Sequence, residues 1–387
     1  MLTQLINGCI LTPQGWMKDG SVLMSDGRIL EVTNSDLAVI GARVIDVKGM
    51  YIVPGFVGMH IHGGGGHEYT EATDEAFAAA TRAHLAHGAT TVFPTLTSAP
   101  AGVIARAAEV CRRMMAADGV TGGLHIEGPY LNPKMAGAQW KEFLKMPDRE
   151  EYAALTDEAG CIRRWDISPE LEGGYEFGRY VSEKGILAAI THTEAEYEEI
   201  RKAYEAGFRH AAHFYNAMPG FHKRREYKYE GTVESVYLTD GMTVEVIADG
   251  RHLPATILKL VYKLKGVERT CLVTDAVKYA AWNGTVDDER YVIENDVCKL
   301  ADHSSLAGSL ATMDTLVRTM VQKAGVPLED AVRMASETPA RVMGVDAAKG
   351  SLQRGKDADI VILDRELNVR CVFSHGVIVE GTDTLNR

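Results

Sequence analysis

His60 and His62 stand two residues apart at the end of an apolar run that begins Pro54-Gly55-Phe56-Val57, and four glycines follow, Gly63 to Gly66. Residues i and i+2 of a strand project from one face, so the two imidazoles reach the same point in space. Glycines after them let backbone come close to whatever sits there. Two neutral imidazoles delivered to one place suit a metal ion, while a turn after a buried strand is the plainer alternative. Other residues able to bind a metal or move a proton also follow short apolar runs: Glu127, His192, His213, Asp249, His252 and Asp275. Imidazole and carboxylate suit zinc, iron(II) or similar ions. Glu127, His192 and His213 could complete one site; His60 and His62 could add ligands to a second, with Glu127 between them. A bound cation lowers the pKa of its water to about 7. Asp275 would then take the water proton and return it to a leaving group. The expected chemistry is metal-assisted hydrolysis.

The elements that position these residues can be counted. Strands are expected at 55–62, 90–95, 124–127, 165–168, 187–191, 210–213, 244–248 and 271–275. Helices are expected between them at 74–87, 100–117, 148–159, 178–184, 194–206 and 254–264, with two more at 313–324 and 328–343. Thr73 is a candidate N-cap, and Gly88 and Gly207 are stop signals. Eight strands alternating with helices point to an α/β chain folded as a (β/α)8 TIM-like barrel, whose active site sits at the C-terminal ends of the strands. The candidate residues lie at those ends. No Gly-x-Gly-x-x-Gly opens a helix after a strand, which weighs against an open doubly wound sheet.

Residues 3–53 have a different texture, with strand candidates at 22–24, 28–32 and 44–47 and turn signals at Ile6-Asn7-Gly8, Asp19-Gly20, Asp26-Gly27 and Lys48-Gly49. Strand texture returns at 359–363, 369–373 and 377–379. We therefore expect a small β-sandwich domain built from both termini, 1–53 and 347–387, flanking a catalytic barrel of 54–346.

The chain has 387 residues and a formal net charge of −12, from 53 acidic against 41 basic side chains. That balance weighs against a general nucleic-acid binder and leaves room for a small anion held by a local arginine. Six scattered cysteines, without a Cys-x-x-Cys pair, read as free thiols in a reducing cytoplasm. No signal peptide and no apolar run of roughly 20 residues is seen, so no membrane contact is expected.

Other histidines have plainer readings. His84 and His87 share a helix at i, i+3 spacing and read as surface or packing residues. His67, His303 and His375 have no partner in sequence. His125 shares a face with Glu127 and reads as an inward-pointing, mainly structural residue behind the ligands. The basic run Lys223-Arg224-Arg225-Glu226 is either a solvated loop or, following a barrel strand on the active-site side, a phosphate clamp.

Several segments together resemble the amidohydrolase superfamily and, within it, the family of N-acetylglucosamine-6-phosphate deacetylases. They are Pro54-Gly55-Phe56 with His60-x-His62-Gly63-Gly64, His125-Ile126-Glu127-Gly128-Pro129-Tyr130, Thr191-His192-Thr193-Glu194-Ala195 and His213-Phe214-Tyr215-Asn216-Ala217-Met218. Ala248-Asp249-Gly250-Arg251-His252, Leu272-Val273-Thr274-Asp275-Ala276, Leu306-Ala307-Gly308-Ser309 and the closing Gly355-Lys356-Asp357-Ala358-Asp359 continue the match over nearly the whole chain.

The resemblance implies hydrolysis of the acetamide of N-acetylglucosamine 6-phosphate to glucosamine 6-phosphate and acetate. It implies a divalent metal, zinc foremost with iron or manganese as alternatives, at one or two positions per subunit. Glu127, His192 and His213 would be the primary ligands, His60 and His62 would serve a second ion, and Asp275 would be the catalytic acid and base. Asn216, Ala217 and His252, with Asp249 beside them, would contact the sugar phosphate. Leu306, Ala307 and Gly308 would line the sugar, and Ala138 and Gln139 fall where the family meets substrate after the glutamate motif. Glutamine stands where some members carry a histidine, so it can donate a hydrogen bond but carries no charge. The family usually reads His-Arg-Glu-Pro-Gly after the asparagine, with an arginine that reaches phosphate, often across a homodimer interface. Here the run is His222-Lys223-Arg224-Arg225-Glu226-Tyr227, and Arg225 is the candidate, with Arg224 the ungapped alternative. An amidohydrolase of another amide or N-acyl substrate and a non-catalytic sugar-phosphate sensor are the rival readings.

Overall fold

Short apolar runs become the eight parallel strands of a ring: Phe56–Ile61, Ala89–Leu96, Leu124–Glu127, Ile162–Ile167, Leu187–Ile190, His210–Ala211, Thr243–Ile247 and Thr270–Val273. They pair in chain order, and helices cover the outside. With both faces covered, the strands show near-continuous burial in place of alternation. The ring closes just past the first and eighth strands. His62 and Gly63 donate backbone N–H groups to the Ala276 carbonyl at 2.9 and 2.8 Å, and Asp275 N–H reaches the His60 carbonyl at 3.1 Å. The computed structural model describes residues 1–34 and 38–385.

Local chemistry explains where the helices begin. Thr73 Oγ1 accepts from Ala76 N–H at 3.2 Å to start Asp74–Leu85, with Asp74 and Glu75 in the first turn facing the positive end of the helix dipole. The Asp148 carboxylate caps Arg149–Ala159 in the same way. The single helix expected at 328–343 is broken at Ser336 into Leu328–Ala335 and Glu337–Val342. Pro339 lacks the N–H that would meet the Ala335 carbonyl, and its ring crowds that carbonyl. The fourth strand starts at Ile162, three residues before the expected 165, because Arg164 is a buried strand residue facing the barrel interior.

Lys265 closes Ala255–Lys265 with its ammonium turned inward. Nζ donates to the carbonyls of Val236, Thr239 and Met242 at 2.7, 3.2 and 3.0 Å, and so serves the carbonyls left open at the end of the helix Thr232–Leu238. Burial holds its pKa down to about 8. Lys265→Met leaves those carbonyls unpaired and is expected to lower the unfolding free energy by roughly 2–4 kcal/mol, read from denaturant titration.

The terminal segments form a second sheet, with Thr3–Thr12, Gly15–Ser25, Arg28–Thr33, Arg43–Asp46 and Tyr51–Pro54 joined by Ile360–Leu363, Val369–Ser374 and Val377–Ile378. It has its own core, including Leu5, Ile10, Val22, Ile52, Ile360 and Phe373. Residues 35–37 and 386–387 of the expected terminal domain lie outside the described residues. Two expected turns are instead irregularities inside a strand pair: Asn7 (φ 58°) and Asp19 (φ 52°) sit where the register shifts around Gly8 opposite Gly20. Asn and Asp tolerate the left-handed region, so a turn signal in sequence can be a bulge in the fold.

Two hairpins were not anticipated. His222–Arg224 pairs with Tyr227–Tyr229 in the stretch read as a loop. Tyr291–Glu294 pairs with Val297–Leu300 through Asn295 and Asp296, both at positive φ as a type I′ turn requires. No helix among the described residues is long and apolar enough to cross a membrane.

Candidate active site and metal centre

Glu127 ends the third strand and brings the candidate ligands together. Its Oε1 lies 2.8 Å from His213 Nε2 and 3.3 Å from His192 Nε2. Its Oε2 lies 3.3 Å from His62 Nε2 and 3.9 Å from His60 Nε2. The two strand-borne imidazoles meet as their spacing requires, Nε2 to Nε2 at 3.2 Å. Asp275 Oδ1 stands 3.1 Å from His62 Nε2 and 3.4 Å from His60 Nε2. Glu127, His192 and His213 form one potential cation cradle, and His60, His62 and Glu127 a second.

The donor set fits metal ions. His192 Nδ1 is 2.7 Å from the Met135 carbonyl, and His213 Nδ1 is 3.2 Å from the Asn216 carbonyl. Carbonyls only accept, so each Nδ1 carries hydrogen, and in its neutral form each ring turns a lone pair on Nε2 toward the Glu127 carboxylate. Acceptors aimed at acceptors need a cation between them, and the carbonyls behind them fix ring orientation. Left-handed backbone at His192 (φ 45°), His213 (φ 26°) and Asp275 (φ 48°) bends the chain at strand ends to aim these side chains.

The electrostatics agree. Burial disfavours charge on His62, but hydrogen bonds to Asp275 and Glu127 outweigh it and raise its pKa to about 10. His213, also buried, is raised to about 9 by Glu127. Burial opposes ionisation of Glu127, yet His192, His213 and His62 hold its carboxyl well below the usual range. Asp275 is lowered against its own burial by His60 and His62. The pocket draws positive charge inward, as protons or as a divalent cation.

These groups floor a cleft of about 930 Å³, counted with the water at its mouth. Ala138 and Gln139 form one wall, Asn216, Ala217 and His252 another, and Leu306, Ala307 and Gly308 a third. Gly308 has φ 67°, and a Cβ there would lie 2.7 Å from the Asp275 carbonyl, so glycine is needed where the chain crosses behind Asp275.

Three candidates make further contacts or lie outside the cleft wall. Gln139 Nε2 donates to Glu127 Oε2 at 2.6 Å while its Oε1 accepts from Ser98 N–H at 2.9 Å. Asp249 stands behind His252, with Oδ2 2.7 Å from His252 Nδ1, and fixes that ring. Arg225 occupies the turn of an exposed hairpin at φ 54°, and Arg224 pairs with Glu196. Among the described residues no lysine or arginine lines the cleft.

Other residues were missed or read too plainly in the sequence. Thr191 Oγ1 lies 3.1 Å from His213 Nε2 and 3.3 Å from Glu127 Oε1. His84, fully buried, meets the Gly63 carbonyl at 2.8 Å and pins the glycine loop after His62. His125 is buried with its ring centroid 4.7 Å from that of His60. Glu245 lies within the seventh strand with Oε1 2.5 Å from His60 Nδ1. A glutamate at the centre of Thr243-Val-Glu-Val-Ile, in a strand buried on both faces, was the signal for it.

A model of the amidohydrolase family matches residues 51–379. An N-acetylglucosamine-6-phosphate deacetylase of Lysinibacillus sphaericus is 30% identical over 380 residues, covering 96% of each chain. An N-acetylgalactosamine-6-phosphate deacetylase of Escherichia coli O157:H7 is 30% identical over 378 residues, covering 95% of this chain and 96% of the relative. Among solved structures, a variant of the N-acetyl-D-glucosamine-6-phosphate deacetylase of Mycobacterium smegmatis, in complex with N-acetyl-D-glucosamine-6-phosphate, superposes with TM-score 0.89 at 31% identity, covering 98% of this chain and 99% of that one. With its barrel, its histidines and carboxylates gathered at the strand ends and a family match over most of its length, the chain belongs to the amidohydrolase family.

Proposed function

We propose that this protein hydrolyses the acetamide of N-acetylglucosamine 6-phosphate, releasing acetate and glucosamine 6-phosphate in amino-sugar catabolism, and that it depends on a divalent metal to do so. The carrying observation is the Glu127 carboxylate, which holds four imidazoles around one point within reach of Asp275. Relatives that carry this substrate in their names, aligned end to end with the chain, support the choice of sugar.

Zinc is the resident ion in this reading, with iron or manganese as substitutes. Glu127, His192 and His213 would hold one ion, and His60, His62 and Glu127 a second. When bound, the metal polarises the acetyl carbonyl and acidifies the attacking water. Asp275 takes the water proton and delivers it to the departing amine nitrogen. Asn216, Ala217 and His252 hold the phosphate end, with Asp249 keeping His252 in one tautomer. Leu306, Ala307 and Gly308 lie along the sugar, and Ala138 bounds the acetyl side. The hydrogen bonds of Gln139 favour holding Glu127 over polarising the acetyl group directly.

A phosphate monoester brings a charge of about −1.5 to −2, and among the described residues the cleft wall of one chain offers no lysine or arginine to meet it. We read the chain as a homodimer in which the exposed hairpin His222–Arg224/Tyr227–Tyr229 of a second copy supplies the arginine. Arg225→Ala is expected to raise KM for the phosphorylated sugar by roughly 10–100-fold and to leave kcat nearly unchanged. Steady-state kinetics on phosphorylated and unphosphorylated sugar decide it, since KM for the latter should not move. All six cysteines are free thiols, which suits a reducing cytoplasm.

The Escherichia coli relative favours a second reading, the C4 epimer N-acetylgalactosamine 6-phosphate as substrate. Acetate release by metal-loaded protein, with both N-acetylhexosamines in phosphorylated and free form, separates the readings. Release from neither phosphosugar would overturn both.

A further inference from the structure

Beneath the metal centre the barrel interior is filled by charge where apolar layers would be the norm. Arg164, Asp166 and Glu245 come from the fourth and seventh strands, and all three are 0% exposed. Arg164 donates Nε and Nη2 to the two oxygens of Asp166 at 2.8 and 2.5 Å, and Nη1 to Glu245 Oε2 at 2.5 Å. His210 Nε2 reaches Glu245 Oε2 at 3.1 Å. On the other oxygen, His60 Nδ1 lies at 2.5 Å and His213 N–H at 3.0 Å.

Glu245 thus accepts four hydrogen bonds, which is the full capacity of a carboxylate. Two of the donors belong to candidate metal ligands. A carboxylate only accepts, so His60 must carry its hydrogen on Nδ1. Its Nε2 lone pair is then fixed toward His62, Glu127 and Asp275. The same oxygen grips the backbone of His213, so one side chain ties together the residues assigned to both cation positions. The charges do not cancel: one guanidinium faces two carboxylates, leaving the buried layer one negative charge in excess when its histidines are neutral. Charge buried this deeply is costly unless a partner offsets it.

We infer that Glu245, held in place by Arg164 and Asp166, is a positioning residue that sets the affinity of the cation position at His60, His62 and Glu127. It acts through the tautomer and orientation of His60, fixed by the contact of Nδ1 with Glu245 Oε1. This inference rests on the two-ion reading of the site given above.

The test is metal content, by elemental analysis after dialysis against graded free zinc, in wild type, Glu245→Gln, His60→Gln and the double variant. Wild type should bind two ions, and His60→Gln should keep the Glu127–His192–His213 ion and lose the other. Glu245→Gln should weaken that same ion about 10–100-fold and keep the first. In the His60→Gln background, Glu245→Gln should change nothing further. Two ions bound by Glu245→Gln with wild-type affinity would overturn the inference and leave the two-ion reading standing. A further loss in the double variant would also overturn it, by showing a general structural role. A single ion in wild type, unchanged by His60→Gln, would remove the two-ion reading and this inference with it. If Glu245→Gln does not fold, the native zinc-loaded protein carries the test through its 15N-histidine spectrum. A strongly deshielded Nδ1–H that disappears in His60→Gln is expected; its absence would overturn the inference.

Discussion

Asp275→Asn is expected to retain bound metal and lose roughly 10²–10⁴-fold in kcat, with KM little changed. The substitution is nearly isosteric, so the contacts of the 275 side chain with the two imidazoles at 3.1 and 3.4 Å persist in outline. What disappears is the carboxylate, and with it the proposed ability to accept a proton from water and return it. His60 and His62 hold the Asp275 carboxyl below its usual pKa, so in the resting state it is ionised and ready to act as a base. Its backbone is fixed independently, by N–H to the His60 carbonyl at 3.1 Å and by its own carbonyl accepting from Ser309 N–H at 2.8 Å. A fall in kcat alone, with metal content and thermal midpoint preserved, is the signature to look for. Turnover near wild type would assign the proton transfer to another group.

Glu127→Gln is expected to do comparable damage by a different route. Each oxygen of Glu127 faces its own pair of histidines, Oε1 toward His192 and His213, Oε2 toward His62 and His60. A glutamine offers one oxygen and one NH2, so whichever pair meets the NH2 loses its anionic partner and gains a donor pointing into the cradle. Gln139, which now donates to Oε2 at 2.6 Å, would bias the remaining oxygen toward that side and turn the NH2 on His192 and His213. Loss of a cation that stabilises charge by about 4 kcal/mol corresponds to roughly 10³-fold in rate. Elemental analysis should show at least one ion gone, and excess zinc should restore activity only in part. Full metal content with full turnover would remove Glu127 from the centre.

The sequence exposed the meeting of the candidate ligands well because that geometry is local. His60 and His62 share a face by strand periodicity, and Glu127, His192, His213 and Asp275 could be placed at strand ends by counting alternation. What lies deeper was hidden by the same rule. Arg164 and Glu245 sit mid-strand, where an apolar residue is expected, and only the ring brings together partners 81 residues apart in sequence. Gln139 could be placed beside the substrate by motif, but its hydrogen bond to Glu127 depends on how 133–144 folds across the barrel mouth. The basic run could be singled out by charge and Arg225 within it by resemblance, yet the hairpin that carries it away from its own cleft depends on a pairing of Lys223 with Lys228 that no local signal announces. Asn295-Asp296 was a legible hairpin turn left unread, and Asn7-Gly8 was a turn signal that the fold uses as a bulge.

The strand Ile360–Leu363 lies beside Tyr51–Pro54, the segment that runs straight into the histidine-bearing first barrel strand, and the Asp359 carbonyl accepts the Gly55 N–H at 2.9 Å. On the ribosome, the lead-in to His60 is made early but lacks one of its two neighbours until residue 363 has emerged. The segment leading into His60 and His62 thus gains its second neighbour only from the far end of the chain. Proteolytic clipping before Ile360 would leave a chain with every candidate ligand present but with the lead-in to the first of them short of one neighbour.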